Sequence, residues 1–291
     1  MKHLVYLSLS LFLLAQGVRA QAVPAHAEGL AEKLYTVPVS DGGLQHGVLS
    51  GKSGVQGQDL LAVLLPGYPS VVRPVMDGSV MVSSRLTGNF LIRSRRFLAD
   101  ERMLTLVVDC NTRVGDYCTP AYQASLQRQS DVQALIDAVK KDHPALKEVW
   151  LLGTSMGTIS SAFMALHAPG QYAGVVHTAS ITDFVGRRPY TELEGFDYAR
   201  ITIPQFFVHH ADDPCVITSY ASAQKIAQKF GLPLVTVQGG SGFTGDPCAA
   251  RTQHGFQGRE SAVMKFMAEA IRQKKFQSGV LPASATEATQ R

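Results

Sequence analysis

The chain has 291 residues, 45% of them apolar and 17% charged, enough to bury a full core in one large domain or two small ones. Its formal charge is only +4, and no dense Lys/Arg run is interleaved with aromatics, which argues against a nucleic-acid partner.

In chain order, the opening stretch MKHLVYLSLSLFLLAQGVRAQA has a basic start at Lys2, an apolar run from Leu4 to Ala15, and small residues at Val18 and Ala20. That pattern predicts a secretory signal over 1–20, cleaved after Ala20, because the apolar run falls short of the ~20 residues a spanning helix needs. No cysteine follows the cut to carry a lipid anchor. Loss of Lys2 and Arg19 lowers the formal charge from +4 to +2. The expected location is secreted or periplasmic, with no stable membrane anchor after cleavage.

An N-terminal segment at 21–33 leads into the expected domain at 34–275. Eight β-rich runs follow: LYTVPV from Leu34, GLQHGVLS from Gly43, DLLAVLLPG from Asp59, MLTLVVD from Met103, KEVWLLG from Lys147, YAGVVHTAS from Tyr172, IPQFFVHH from Ile203 and PLVTVQG from Pro233. Several are continuously apolar, as strands covered on both faces are. Helical patterns separate them. ASLQRQSDVQALIDAVKKDH sets Leu126, Val132, Leu135, Ile136 and Val139 at mostly three- and four-residue spacing, predicting an amphipathic crossover helix. SYASAQKIAQKFG, stopped by Gly231 and Pro233, and SAVMKFMAEAIRQ read the same way. Such alternation predicts an α/β fold, a doubly wound, mostly parallel eight-stranded sheet with helices on both faces. The small, polar tail, 276–291, reads as disordered.

Gly153-Thr154-Ser155-Met156-Gly157 fits the pattern G-x-S-x-G, with a strand before it and a helical stretch after it. A serine at such a turn stands at a helix N-terminus, where the Met156 amide can face developing negative charge. A serine hydroxyl needs a base, and the base needs an orienting acid. In chain order after Ser155 come the acidic turn FFVHHADDPCV and the loop CAARTQHGF. Asp213, three residues before Val216 in the loop after the strand, is preferred to Asp212 as the acid, and His254 is the base. Asp183 is the competing acid. His209 and His210, at a strand end, read as core or loop histidines.

The arrangement resembles an α/β-hydrolase over roughly residues 34 to 275, most similar to the compact dienelactone-hydrolase-like and serine-esterase or peptidase branches. The resemblance implies a nucleophile after the fifth strand, an acid after the seventh and a histidine after the eighth, which are Ser155, Asp213 and His254 in the count above. It also implies an oxyanion hole formed by the amides of Met156 and Tyr68, although the His-Gly usual in the family at the latter turn is Pro-Gly here. If the acid and base loops converge, Cys215 and Cys248 are placed to bridge them, leaving Cys110 and Cys118 as a local staple. Zinc is disfavoured because the cysteines form no CxxC pair.

Between the sixth and seventh strands only ITDFVGRRPYTELEGFDYARIT intervenes, too short for a cap domain. The expected pocket is therefore open, with Tyr68, Phe184 and Tyr190 as substrate-binding residues, bordered also by Phe196 and Phe243. Arg187 and Arg188 read as solvated arginines. The resulting expectation is an exported serine hydrolase cleaving a small-molecule or polymer-end carboxylic ester through an acyl-enzyme, with no metal or organic cofactor. A peptidase or amidase would use the same three residues, and a non-catalytic binding protein on the same scaffold is the alternative from another class.

Overall fold

The computed structural model describes residues 23–184 and 190–283. The expected signal segment at 1–20, Arg187, Arg188 and the end of the tail lie outside the described residues. The strands are β1 (Leu30–Pro38), β2 (Leu44–Lys52), β3 (Leu60–Leu65), β4 (Val75–Asp77), β5 (Val80–Ser83), β6 (Met103–Val108), β7 (Glu148–Thr154), β8 (Gly174–Thr178), β9 (Gln205–His210), β10 (Leu234–Val237) and β11 (Gly279–Leu281). The helices are α1 (Phe90–Ser94), α2 (Pro120–Gln123), α3 (Leu126–Asp142), α4 (Gly157–His167), α5 (Tyr220–Phe230) and α6 (Glu260–Gln273).

One sheet runs in the order β1-β2-β6-β3-β7-β8-β9-β10-β11. The β1–β2 and β2–β6 pairs are antiparallel and every later pair is parallel. The apolar runs are continuous because both faces are covered. Leu61, Val63 and Leu65 of β3 point into one core with Val132, Leu135 and Ile136 of α3 and Ile159 of α4. Leu60, Ala62 and Leu64 point into the other, with Phe90 and Leu91 of α1 and Val263, Met264 and Met267 of α6.

Three expectations need correction. Among the described residues the sheet has nine strands rather than eight, because Gly279–Leu281, in the stretch expected to be disordered, pairs in parallel with β10. A run of three residues shows no period, and only the exposed edge of β10 recruits it. Ordered structure also begins before residue 34: β1 starts at Leu30. Leu126, expected on the core face of α3, is 64% exposed because it is the first residue of the helix, immediately after the Ser125 cap that accepts from the Arg128 amide.

The early start of β1 has an electrostatic reason. Glu32 is buried, accepting hydrogen bonds from Ser50 Oγ at 2.5 Å, the Met81 amide at 2.6 Å and Arg95 Nε at 2.8 Å. Arg95 and Glu32 are both fully buried, so each charge depends on the other. The pair joins β1, β2, the β4–β5 hairpin and the turn after α1. Glu32→Ala is expected to destabilise the fold by about 3–5 kcal/mol by stranding the guanidinium. Urea unfolding of the two proteins measures this directly.

Candidate active site

The β7–α4 turn sets Ser155 at φ 52°, in the left-handed region that costs a non-glycine residue about 1–3 kcal/mol. Surrounding contacts hold it there. The Ser155 amide donates to the carbonyls of Thr178 and Ala179, both at 3.1 Å, and its carbonyl accepts from the Thr158 amide at 2.9 Å and the Thr158 hydroxyl at 2.6 Å. The flanking glycines are steric necessities. A Cβ on Gly157 would stand 2.0 Å from the Leu65 carbonyl oxygen, and one on Gly153 would stand 2.5 Å from Ser161 Oγ. Strand β3 and the start of α4 thus pass backbone against backbone, which keeps Ser155 at the helix N-terminus.

Asp213 and His254, 41 residues apart, meet in the structure. His254 Nδ1 lies 3.1 Å from Asp213 Oδ2, and the Asp213 side chain is fully buried. The other Asp213 oxygen accepts from the Cys215 amide at 2.9 Å. Thr218 joins the pair: its hydroxyl donates to Asp213 Oδ2 at 2.9 Å and lies 3.0 Å from His254 Nδ1. With the proton on Nδ1, that nitrogen is satisfied by Asp213 and Thr218, leaving Nε2 as the basic nitrogen. Sequence reasoning missed Thr218; a hydroxyl residue five positions after the acid was the available signal.

Asp183 is occupied elsewhere. It accepts from the Ser219 amide at 2.8 Å, Ser222 Oγ at 2.5 Å and Thr182 Oγ1 at 2.9 Å, at the start of α5. Burial alone would raise its carboxyl pKa, but the hydrogen bonds from Ser222, Ser219 and Thr182 outweigh that and hold it below the ordinary range. Asp212 is exposed. His210 spans the Asp212 amide and the Gly239 carbonyl, and His209 is buried and bonded to the Ser180 amide.

The disulfides are Cys215–Cys248, with Cα atoms 4.5 Å apart, and Cys110–Cys118. The first ties the loop bearing Asp213 to the one leading to His254. The second closes a loop whose Cys118 amide donates to the Pro69 carbonyl at 3.0 Å and whose Tyr117 ring packs on Tyr68 at 5.6 Å. That loop therefore buttresses the turn after β3. The same turn is pinned from within by Ser70 Oγ, which donates to the Pro66 carbonyl at 2.8 Å, and from below by buried Asp109, which accepts from the Val72 and Arg73 amides.

Ser155, Met156, Tyr68, Tyr190 and His254 line one cavity of about 200 Å³, together with Asn89, Phe90, Ile217, Cys248 and Ala250. Neither the Tyr68 nor the Met156 amide donates to another acceptor among the described residues. Phe184 is half-buried against the main core and is not among the described residues that line the cavity. Phe196 packs on Phe163 and Tyr198, and Phe243 also lies outside the cavity. Among the described residues no cluster of His, Cys, Asp and Glu is arranged to hold a metal ion.

No protein-family model and no curated protein sequence matches the chain. Among solved structures it is similar to a cold-adapted esterase from an Arctic intertidal metagenomic library, at 13% identity over 83% of this chain and 94% of that one, with a TM-score of 0.54. Est1E from Butyrivibrio proteoclasticus aligns at 12% identity over 83% and 98% of the two chains, TM-score 0.57, and the Pyrococcus furiosus esterase Pf2001 at 15% over 83% and 92%, TM-score 0.55. At these identities the likeness establishes the fold: the chain has the α/β-hydrolase fold.

Two expected outcomes follow from the site's packing and burial. Gly157→Ala should lower stability by about 3 kcal/mol through overpacking against Leu65, whereas Gly170→Ala, with no atom within 4 Å of the added Cβ, should change it by less than ~0.5 kcal/mol; denaturant unfolding of both separates them. Burial also pulls His177 down to about 3 and His209 down to about 4, while an unfolded histidine titrates near 6.5. The unfolded state therefore binds protons that the native state does not as pH falls below about 6.5, so stability drops. Each histidine should contribute about 1 kcal/mol of loss between pH 7 and 5.5, measurable as a lower urea midpoint above the carboxylate range.

Proposed function

We propose that the protein is an exported serine hydrolase that cleaves small, neutral carboxylic esters through an acyl-enzyme on Ser155. One observation carries the reading: a strained serine at a helix N-terminus shares a cavity with a histidine whose Nδ1 is engaged by a buried carboxylate. In the proposed reaction His254 takes the Ser155 proton as the hydroxyl oxygen attacks the ester carbonyl carbon. The tetrahedral oxyanion accepts from the Met156 and Tyr68 amides, and His254 then protonates the departing alcohol. Water repeats the sequence on the acyl-enzyme, with His254 as base. Asp213 and Thr218 keep Nδ1 protonated and stabilise the imidazolium that forms in each half-reaction.

The substrate class is argued from the lining. Among the described residues that line the cavity there is no Asp, Glu, Lys or Arg, so a charged acyl group would meet no opposite charge from them. About 200 Å³ is below the ~300–1,000 Å³ of sites that enclose drug-sized ligands, favouring a short acyl group with the alcohol portion toward solvent past Tyr68, which is 62% exposed. Export is supported by the signal-like N-terminus and by two disulfides, which persist in oxidising compartments. No helix among the described residues is long and apolar enough to cross a membrane.

Wild-type protein is expected to hydrolyse p-nitrophenyl acetate faster than long-chain esters or aminoacyl amides and to label with a fluorophosphonate probe; Ser155→Ala should abolish both. Asp213→Asn should cut kcat by up to about 10⁴-fold. Asp183→Asn should instead lower stability while leaving kcat of the folded protein within about threefold, since its partners are at the start of α5. A wild-type protein that neither labels nor turns over esters would overturn the catalytic reading in favour of a binding role.

A further inference from the structure

Behind the Ser155 turn lies a second strained turn. Ala179, buried and immediately after β8, has φ 40°, and its carbonyl accepts from the Ser155 amide at 3.1 Å. Two positive-φ residues without glycine's freedom are thus joined by one hydrogen bond, and neither is stable on local terms. The Ala179 turn is held on its far side by β9. Its amide donates to the Val208 carbonyl at 3.0 Å, and the next amide, Ser180, donates to His209 Nε2 at 2.8 Å.

We infer that His209 is a positioning residue for Ser155: its imidazole anchors the Ala179–Ser180 turn whose carbonyl holds the nucleophile's amide. The inference rests on the proposed hydrolase reading and adds a residue that touches neither Ser155 nor the cavity. The geometry requires an acceptor at the end of a side chain about as long as histidine, on the last turn of β9, in a fully buried place. Ser180 N–H is itself buried, and without an acceptor it would have to find one by moving the turn. Such a movement displaces the Thr178 and Ala179 carbonyls, releasing Ser155 toward an ordinary backbone conformation. Because Nε2 accepts, the ring proton sits on Nδ1, which has no hydrogen-bond partner among the described residues. Burial keeps the ring neutral, with Asp213 and Asp183 favouring protonation and His254 opposing it, so the acceptor persists through the neutral range.

A merely structural histidine and a positioning one differ in which kinetic constant moves. His209→Met keeps the volume but offers only a weak sulfur acceptor, whereas His209→Gln puts a carbonyl oxygen near the place of Nε2. With p-nitrophenyl acetate, the Met variant is expected to lose about tenfold or more in kcat and in fluorophosphonate labelling rate, with KM within about twofold, and the Gln variant to recover to within about threefold of wild type. Amide hydrogen exchange at Ser180 should accelerate in the Met variant and not in the Gln variant. That readout is independent of turnover, so it tests the anchor even if the wild type proves inactive on esters. Where the Met variant does not fold, His209→Asn, whose amide is too short to reach Ser180, takes its place. A folded Met or Asn variant with wild-type kcat and wild-type Ser180 exchange, or a Gln variant no better than Met or Asn, overturns the inference.

Discussion

The structure depends on one backbone crossing. Strand β3 ends beside β7 in parallel register, Leu65 opposite Gly153, and the chain leaving β7 must turn into α4 directly over the Leu65 carbonyl. A Cβ at 157 would stand 2.0 Å from that oxygen, so the turn is tight enough to admit only glycine there. That tightness forces Ser155 into the left-handed region, and the local cost of about 1–3 kcal/mol must be met by contacts beyond the turn. Four hydrogen bonds on the Ser155 backbone, from both β8 and α4, meet it. The strain is thus a property of the sheet's central register, and any change in β3–β7 packing would move the serine.

Asp213 and His254 present the opposite problem: they are local in space and remote in sequence. A fully buried carboxylate is unfavourable unless its oxygens are paired. Asp213 satisfies this with the Cys215 amide on one oxygen and with Thr218 and His254 on the other. The Cys215–Cys248 bridge limits how far the two loops separate in the unfolded chain; for a sequence separation of 33 the chain-entropy model gives roughly 3–4 kcal/mol. It therefore acts on stability and on site geometry through the same covalent link. Asp183 shows what a nearby carboxylate does without that histidine: it is absorbed in ordering the start of α5.

Much of the fold was legible because buried parallel strands write continuous apolar runs and crossover helices write a three-to-four-residue spacing. The eight expected strands are all present, and the serine turn was readable because steric exclusion at 153 and 157 admits only glycine. What escaped was set by tertiary partners. The β4–β5 hairpin and β11 span three or four residues each, too few for a period to register. Glu32 falls in the segment expected to precede the sheet, and its burial is made tolerable by Ser50, Met81 and Arg95, which lie 18, 49 and 63 positions away. Thr218 escaped because its one signal, a hydroxyl five positions after Asp213, gains meaning only once Asp213 and His254 are adjacent. Phe184 shows the complementary case, an aromatic near a site in sequence that packs against the core.

The same division bears on how such a site can change its substrate without losing its chemistry. In the proposed reaction the oxyanion donors are backbone amides on turns held by Ser70, Asp109, Cys118 and the start of α4, so substitution of the Tyr68 or Met156 side chain leaves the N–H in place. The side chains that shape the cavity, Tyr68, Tyr190, Ile217 and Ala250, take no part in the Asp213–His254–Thr218 hydrogen bonds. The groups of the proposed reaction are thus carried by strand ends and a disulfide-tied pair of loops, while shape is carried by separate residues. Substitutions that resize the cavity at these four positions should therefore alter KM and acyl selectivity more than the proton-transfer geometry of the proposed reaction, whose side-chain bonds run among Asp213, His254 and Thr218.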